Sequence, residues 1–210
     1  MTRLEIVSDV VCPWCYIGKA NLDRALAGTA NPFAIRWRPF QLNPEMPPGG
    51  MDHRAYYAAK FGEDRAQAIR ERITEAAGEA GVTIDFDRIS RAPNSLDAHR
   101  LLRWAEAEGV QHALAGILFR RYFAEGEDVG DHAVLLAAAA EAGMDPDVTA
   151  RLLAGDADRA SVAKEAAAAA EMGVTGVPCF LLGGRYAISG AQSPDVWTRL
   201  IAELEAARGA

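Results

Sequence analysis

Two cysteines, Cys12 and Cys15, stand two residues apart in "VSDVVCPWCYIGKANL", between a β-like run and a helical one. That spacing allows three kinds of chemistry: metal binding, a fixed crosslink, or reversible thiol–disulfide exchange. If a helix begins at Pro13, residues 12 and 15 fall on its first turn, with Cα atoms about 5–6 Å apart, within disulfide range. The first turn of a helix carries unpaired N–H groups and the positive end of the macrodipole. A thiolate at Cys12 would be stabilised by both, as nucleophile and as leaving group. Cys15, a turn deeper, would be more buried and suited to resolve a mixed disulfide. Pro13 fits the helix start because its missing N–H would lack a partner there anyway.

The other two chemistries fit less well. A structural zinc site needs four ligands, commonly from two such pairs. The remaining Cys179 and the four histidines, His53, His99, His112 and His132, show no ligand spacing, so no metal is expected. A permanent crosslink closing so short a loop would constrain the unfolded chain very little. A strand, then CxxC, then a helix is the context of a redox-active dithiol.

The elements that must hold this pair are readable around it. "RLEIVSDVV" predicts a short buried strand, and the helix from Pro13 runs to about Gly28, with Gly18 a mild cost inside it. In "FAIRWRPF", Phe33, Ile35 and Trp37 alternate with Ala34, Arg36 and Arg38, a second strand. "NPEMPPGGMD" breaks the pattern, and from about 52 to 173 the chain reads as almost wholly helical. Leu114, Ile117, Leu118 and Tyr122 form one apolar stripe, and Ala98, Leu101, Leu102 and Ala105 another. "AGVTIDFDRISRAPNS" interrupts the helices as a loop with a short extended piece. "EAGMDPD" and "LAGDADRA" are helix-to-helix turns. "VPCFLLGGRYAISG" predicts a hairpin turning at Gly183-Gly184. Ser193 and Pro194 open a closing helix with Trp197, Leu200, Ile201 and Leu204 on one face. The chain ends supply β-α-β and β-β-α. The expected fold is therefore α/β: one sheet built from residues 1–45 and 174–210, with a helical insertion domain over 46–173.

Composition narrows the function. Half of the 210 residues are apolar, enough for a substantial core, and the formal net charge of −7 is spread over mixed-sign helical faces. Neither nucleic acid nor an anionic membrane is an expected partner. "MTRLEIVSDV" has no secretory pattern, and the alanine tracts at 137–140 and 166–170 are too short to span a membrane. Three cysteines are too few for a disulfide framework. A cytoplasmic location is expected.

Three segments carry a resemblance. "SDVVCPWCYIGKANLDRAL", "PNSLDAHRLL" and "GVTGVPCFLLGGRYAISGAQSPD" together resemble DsbA-like thiol–disulfide oxidoreductases of the FrnE type. These have a thioredoxin-like fold with a helical insertion, and are related to 2-hydroxychromene-2-carboxylate isomerases and kappa-type glutathione transferases. The resemblance implies Cys12 as attacking and Cys15 as resolving thiol, flanking Pro13 and Trp14. It also implies a cis bond at Val177-Pro178 in a loop facing the dithiol; a cis bond there would bare backbone for an extended partner. Without the resemblance, Pro178 reads equally well as the opening of a strand. It further implies that the helix starting near Asn94 and Ser95, with His99 a turn on, lines a thiol-ligand pocket. Capping and interior hydrogen bonding would explain the same three residues. Cys179 reads as an inert buried thiol.

No tightly bound cofactor is expected, with glutathione a candidate co-substrate; partners would be disulfide- or thiol-bearing proteins or small molecules, and a homodimer is compatible. The alternative is a glutathione-dependent isomerase or transferase acting on a small aromatic or polyketide-like substrate, but those relatives usually carry serine where this chain has Cys12. Trp14 stands where the strongly oxidising periplasmic DsbA has histidine. It brings no positive charge to the Cys12 thiolate, so this dithiol is expected to be less oxidising than DsbA.

Overall fold

The structure, a computed structural model, describes residues 1–209, with side chains through residue 207. A four-stranded sheet in the order β2-β1-β5-β6 organises the fold. Strands β1 (Thr2–Ser8) and β2 (Phe33–Pro39) are parallel, joined over helix α1 (Pro13–Leu26). Strand β5 (Cys179–Leu182) runs antiparallel to β1, and β6 (Tyr186–Ser189) antiparallel to β5. The chain ends thus meet in one mixed sheet, and α9 (Pro194–Gly209) closes it. β1 stops at Ser8 rather than reaching Val11. Asp9 instead turns the chain, its carbonyl accepting from Cys12 N–H at 3.0 Å.

Period-two alternation separates two faces. Leu4, Ile6, Trp37 and Phe180 belong to the main core with α1, and Phe180 packs edge-on to Trp197 of α9 with centroids 4.7 Å apart. Val7 and Cys179, paired across β1 and β5, point the other way and form a small cluster with Ala169.

Between β2 and β5 the chain forms α2 (His53–Phe61), α3 (Glu63–Ala80), α4 (Leu96–Ala107), α5 (Gln111–Phe123), α6 (His132–Glu141), α7 (Pro146–Ala154) and α8 (Arg159–Glu171). The short extended piece expected before α4 is β4 (Arg91–Ala92); its pairing with β3 (Met51–Asp52), not anticipated from the sequence, fixes the start of α2 beside the approach to α4. The predicted apolar stripes are interior: Leu114, Leu118, Ala98 and Leu101 are fully buried. The core runs unbroken from the sheet into these helices, since Leu4, Ile6, Ile73, Leu101 and Leu118 share one cluster.

Candidate active site

Cys12 is the N-cap residue of α1, in extended conformation (φ −93°, ψ 115°), with Pro13 at the first helical position. Its carbonyl accepts the N–H of Cys15 at 3.0 Å and of Tyr16 at 3.4 Å, so the helix is wound tightly from its first turn. The Cys12 thiol donates to the Val177 carbonyl at 3.5 Å, and the Val177-Pro178 bond is cis. Gly18 makes this approach feasible. A Cβ there would lie 3.1 Å from Pro178 Cγ and 3.4 Å from Phe180 Cζ. The residue that weakens α1 thereby lets it lie against the proline loop.

Both thiols are free, and they differ in surroundings. Cys15 is 1% exposed; burial and the neighbouring Cys12 push its thiol well above the ordinary value, with the Ser8 hydroxyl and the Asp9 backbone in opposition. Cys12 is 4% exposed but borders a cavity of about 300 Å³. Reagents therefore reach Cys12 through this cavity rather than from an open surface. Cys179 lies on the opposite face of the sheet, its thiol raised by burial.

The floor of the cavity is Val11, Cys12, Pro13 and Trp14 with Gly176 and Val177; its walls are Leu42, Met46, Pro93, Ser95 and Tyr122. Its roof comes from the insertion: Tyr56, Tyr57, Lys60 and Phe61 of α2 and Ile69 of α3. Burial holds the Tyr57 and Tyr122 phenols above the ordinary value, so both stay protonated. Arg72 lies over the Trp14 ring, 5.7 Å from its centroid. The roof was not singled out in the sequence. The available signal was the cluster of aromatics in "YYAAKF", three rings within six residues of one short helix.

Of the three residues proposed at the start of α4, the structure brings Ser95 to the cavity and commits the other two elsewhere. Asn94 Nδ2 donates to the Met46 carbonyl at 2.6 Å, while Oδ1 accepts from Leu96 N–H at 3.0 Å and from Gln41 Nε2 at 3.3 Å. It caps the helix from one position earlier and ties down the loop after β2; Ser95 makes no side-chain cap bond. His99 is 4% exposed and bonds through Nε2 to the Phe40 carbonyl at 3.0 Å, with Asp9 Oδ1 at 3.4 Å. A buried ring nitrogen must find a partner, and here that partner is backbone. Asp9 in turn accepts from Leu42 N–H at 2.8 Å and Val11 N–H at 3.4 Å. Asn94 and His99 therefore support the cavity wall from behind, while Asp9 is part of its lining.

The profile of the DSBA-like thioredoxin domain matches residues 3–202. The chain belongs to that family. Among solved structures, this DSBA-like chain is similar to a probable DsbA oxidoreductase from Streptomyces coelicolor at 33% identity and TM-score 0.85, over 97% of this chain and 89% of the other. It shares its fold with a 2-hydroxychromene-2-carboxylate isomerase, at 18% identity and TM-score 0.70, over 99% and 94%. The fold also matches the cytosolic disulfide reductase DsbM from Pseudomonas aeruginosa, solved with GSH, at 22% identity and TM-score 0.66, over 96% and 98%. Within this DSBA-like frame, among the described residues, no group of three or more His, Cys, Asp or Glu could hold a metal ion. Among the same residues no helix is long and apolar enough to cross a membrane.

Proposed function

We propose that the protein is a thiol–disulfide oxidoreductase of the cytoplasm that works through a mixed disulfide at Cys12. One observation carries the reading: Cys12 caps the helix, borders a cavity and touches the Val177 carbonyl, while Cys15 lies sealed one turn below. Cys12, ionised, attacks a substrate disulfide; that S–S bond breaks, a thiolate leaves, and Cys12 is joined to the other half. Cys15 then loses its proton and attacks Cys12 Sγ, releasing the second thiolate and leaving a Cys12–Cys15 disulfide. The raised Cys15 thiol fits this order, because it stays protonated until the mixed disulfide has formed. The Val177-Pro178 loop flanks the sulfur and Ser95 offers a hydroxyl to the bound partner. Glutathione, as co-substrate, would return the dithiol to its reduced form. The cytosolic disulfide reductase with a related fold supports both the compartment and that reductant.

Trapping tests this reading. Cys15→Ser should accumulate a covalent adduct with oxidised glutathione on Cys12, visible by mass spectrometry and released by dithiothreitol, and Cys12→Ser should form none. The enclosed cavity also favours a glutathione-dependent isomerase acting on a small aromatic molecule. In that case Cys15→Ser would keep its turnover, and the trapped adduct would not form.

A further inference from the structure

The cavity over Cys12 also bears on what the enzyme reduces, an inference that rests on the function proposed above. Trp14, Met46, Tyr56, Tyr57, Phe61 and Ile69 surround a volume of about 300 Å³, the size of a pocket for a small molecule. Such walls give little to a polar aliphatic chain and much to a flat ring, which gains by offset or edge contacts with several of them. Among the described residues lining the cavity, Lys60 is the only cation and Asp9 the only carboxylate. They are not equivalent. Asp9 is spent on Leu42 N–H, Val11 N–H and His99, at the wall. The Lys60 ammonium donates to the Tyr56 hydroxyl at 2.8 Å and lies 5.2 Å from the Tyr56 and 5.8 Å from the Phe61 ring centroids. The aromatic roof thus holds it at the rim, and two of its three N–H donors have no acceptor among the described residues. Arg72 adds a second positive charge behind Trp14.

We propose that the preferred substrates are low-molecular-weight aryl disulfides bearing an acidic group, with the ring held among the roof aromatics and the acid at Lys60. The attack by Cys12 breaks the aryl S–S bond, releases one aryl thiolate and leaves the other half on Cys12. Cys15 displaces that second aryl thiolate, forming the Cys12–Cys15 disulfide. Two equivalents of a monothiol such as glutathione then reduce it, so that one aryl disulfide and two monothiols give two aryl thiols and one oxidised monothiol.

The test compares four oxidants of the reduced enzyme: 5,5′-dithiobis(2-nitrobenzoate), neutral 2,2′-dithiodipyridine, hydroxyethyl disulfide and insulin. Each rate is divided by the rate of the same oxidant with free glutathione, which removes intrinsic reactivity. The expected order places the anionic aryl disulfide first and the neutral aryl disulfide second. In Lys60→Met the preference for the anionic over the neutral aryl probe should fall by up to about fivefold, the range of a partly exposed ion pair. That loss should shrink in 1 M salt, as screening requires. Normalised rates that are equal across the four, or fastest for insulin, would overturn the inference while leaving the oxidoreductase reading standing. So would an unchanged anionic-to-neutral ratio in Lys60→Met. If no oxidant forms an adduct with Cys15→Ser, both the inference and the function it rests on fall.

Discussion

At the scale of single residues, the dithiol owes its asymmetry to position. Cys12 and Cys15 lie only three residues apart at the start of α1, yet one borders a cavity and the other is packed beneath it. That much was legible, because strand–CxxC–helix fixes where the two sulfurs fall. Gly18 was not. Its cost to the helix can be read locally, whereas its use, clearance for Pro178 and Phe180, depends on residues far away in the chain. Nor was Arg72, whose guanidinium reaches the Trp14 ring from α3. Its charge meets the face of the indole, and the two residues between the cysteines, Pro13 and Trp14, carry none. Equilibrated with glutathione buffers and quenched with a thiol reagent, the wild-type dithiol should accordingly stay oxidised at ratios that already reduce DsbA. A dithiol as oxidising as DsbA would show that Trp14 is not what sets the potential.

At the scale of elements, α2 roofs the cavity that Cys12 borders, and its anchoring is titratable. His53 opens α2, is 2% exposed, and packs tilted against Tyr57 and stacked on Phe86, with centroids 4.5 and 6.2 Å away. Burial first, and then the charge of Arg70, lower its pKa to about 4; Asp52 opposes them. Because the folded value lies below the ordinary 6.5, the unfolded chain binds the proton first as pH falls. The stability this gives is present above pH 6.5 and is lost as pH drops toward 4, by up to about 3 kcal/mol for the full interval. Urea denaturation at pH 7 and pH 4.5 should show the loss, with amide exchange in α2 rising alongside. His53→Phe, which keeps the ring stack and cannot titrate, should flatten that part of the profile. Helical character here was plain from the sequence. What the helix covers was not, since the short β3–β4 clip that directs it comes from residues 51–52 and 91–92, in segments with no strand periodicity.

At the scale of the whole molecule, the four-stranded sheet assembled from both chain ends was legible from the buried run of β1, the alternation in β2 and the Gly183-Gly184 turn between β5 and β6. The division at residues 46–173 marks a topological insertion, but the core does not respect it. Leu101, Leu118 and Phe119 pack in the same cluster as Leu4, Ile6 and Trp37, and Trp37 meets Phe119 edge-on at 5.9 Å. A chain lacking 46–173 would expose that face of Trp37 and of α1, and it should fail to fold. The intact reduced protein should unfold in one transition, with tryptophan fluorescence and far-ultraviolet circular dichroism superimposing; separated midpoints would mean two independent cores. A last consequence follows from the joint construction of the cavity. The chemistry below is set by the sheet half of the chain, and the fit above by α2 and α3, which contribute no sulfur. Exchange of side chains on those two helices would therefore change what fits over the sulfur while the surroundings of the dithiol itself are inherited intact.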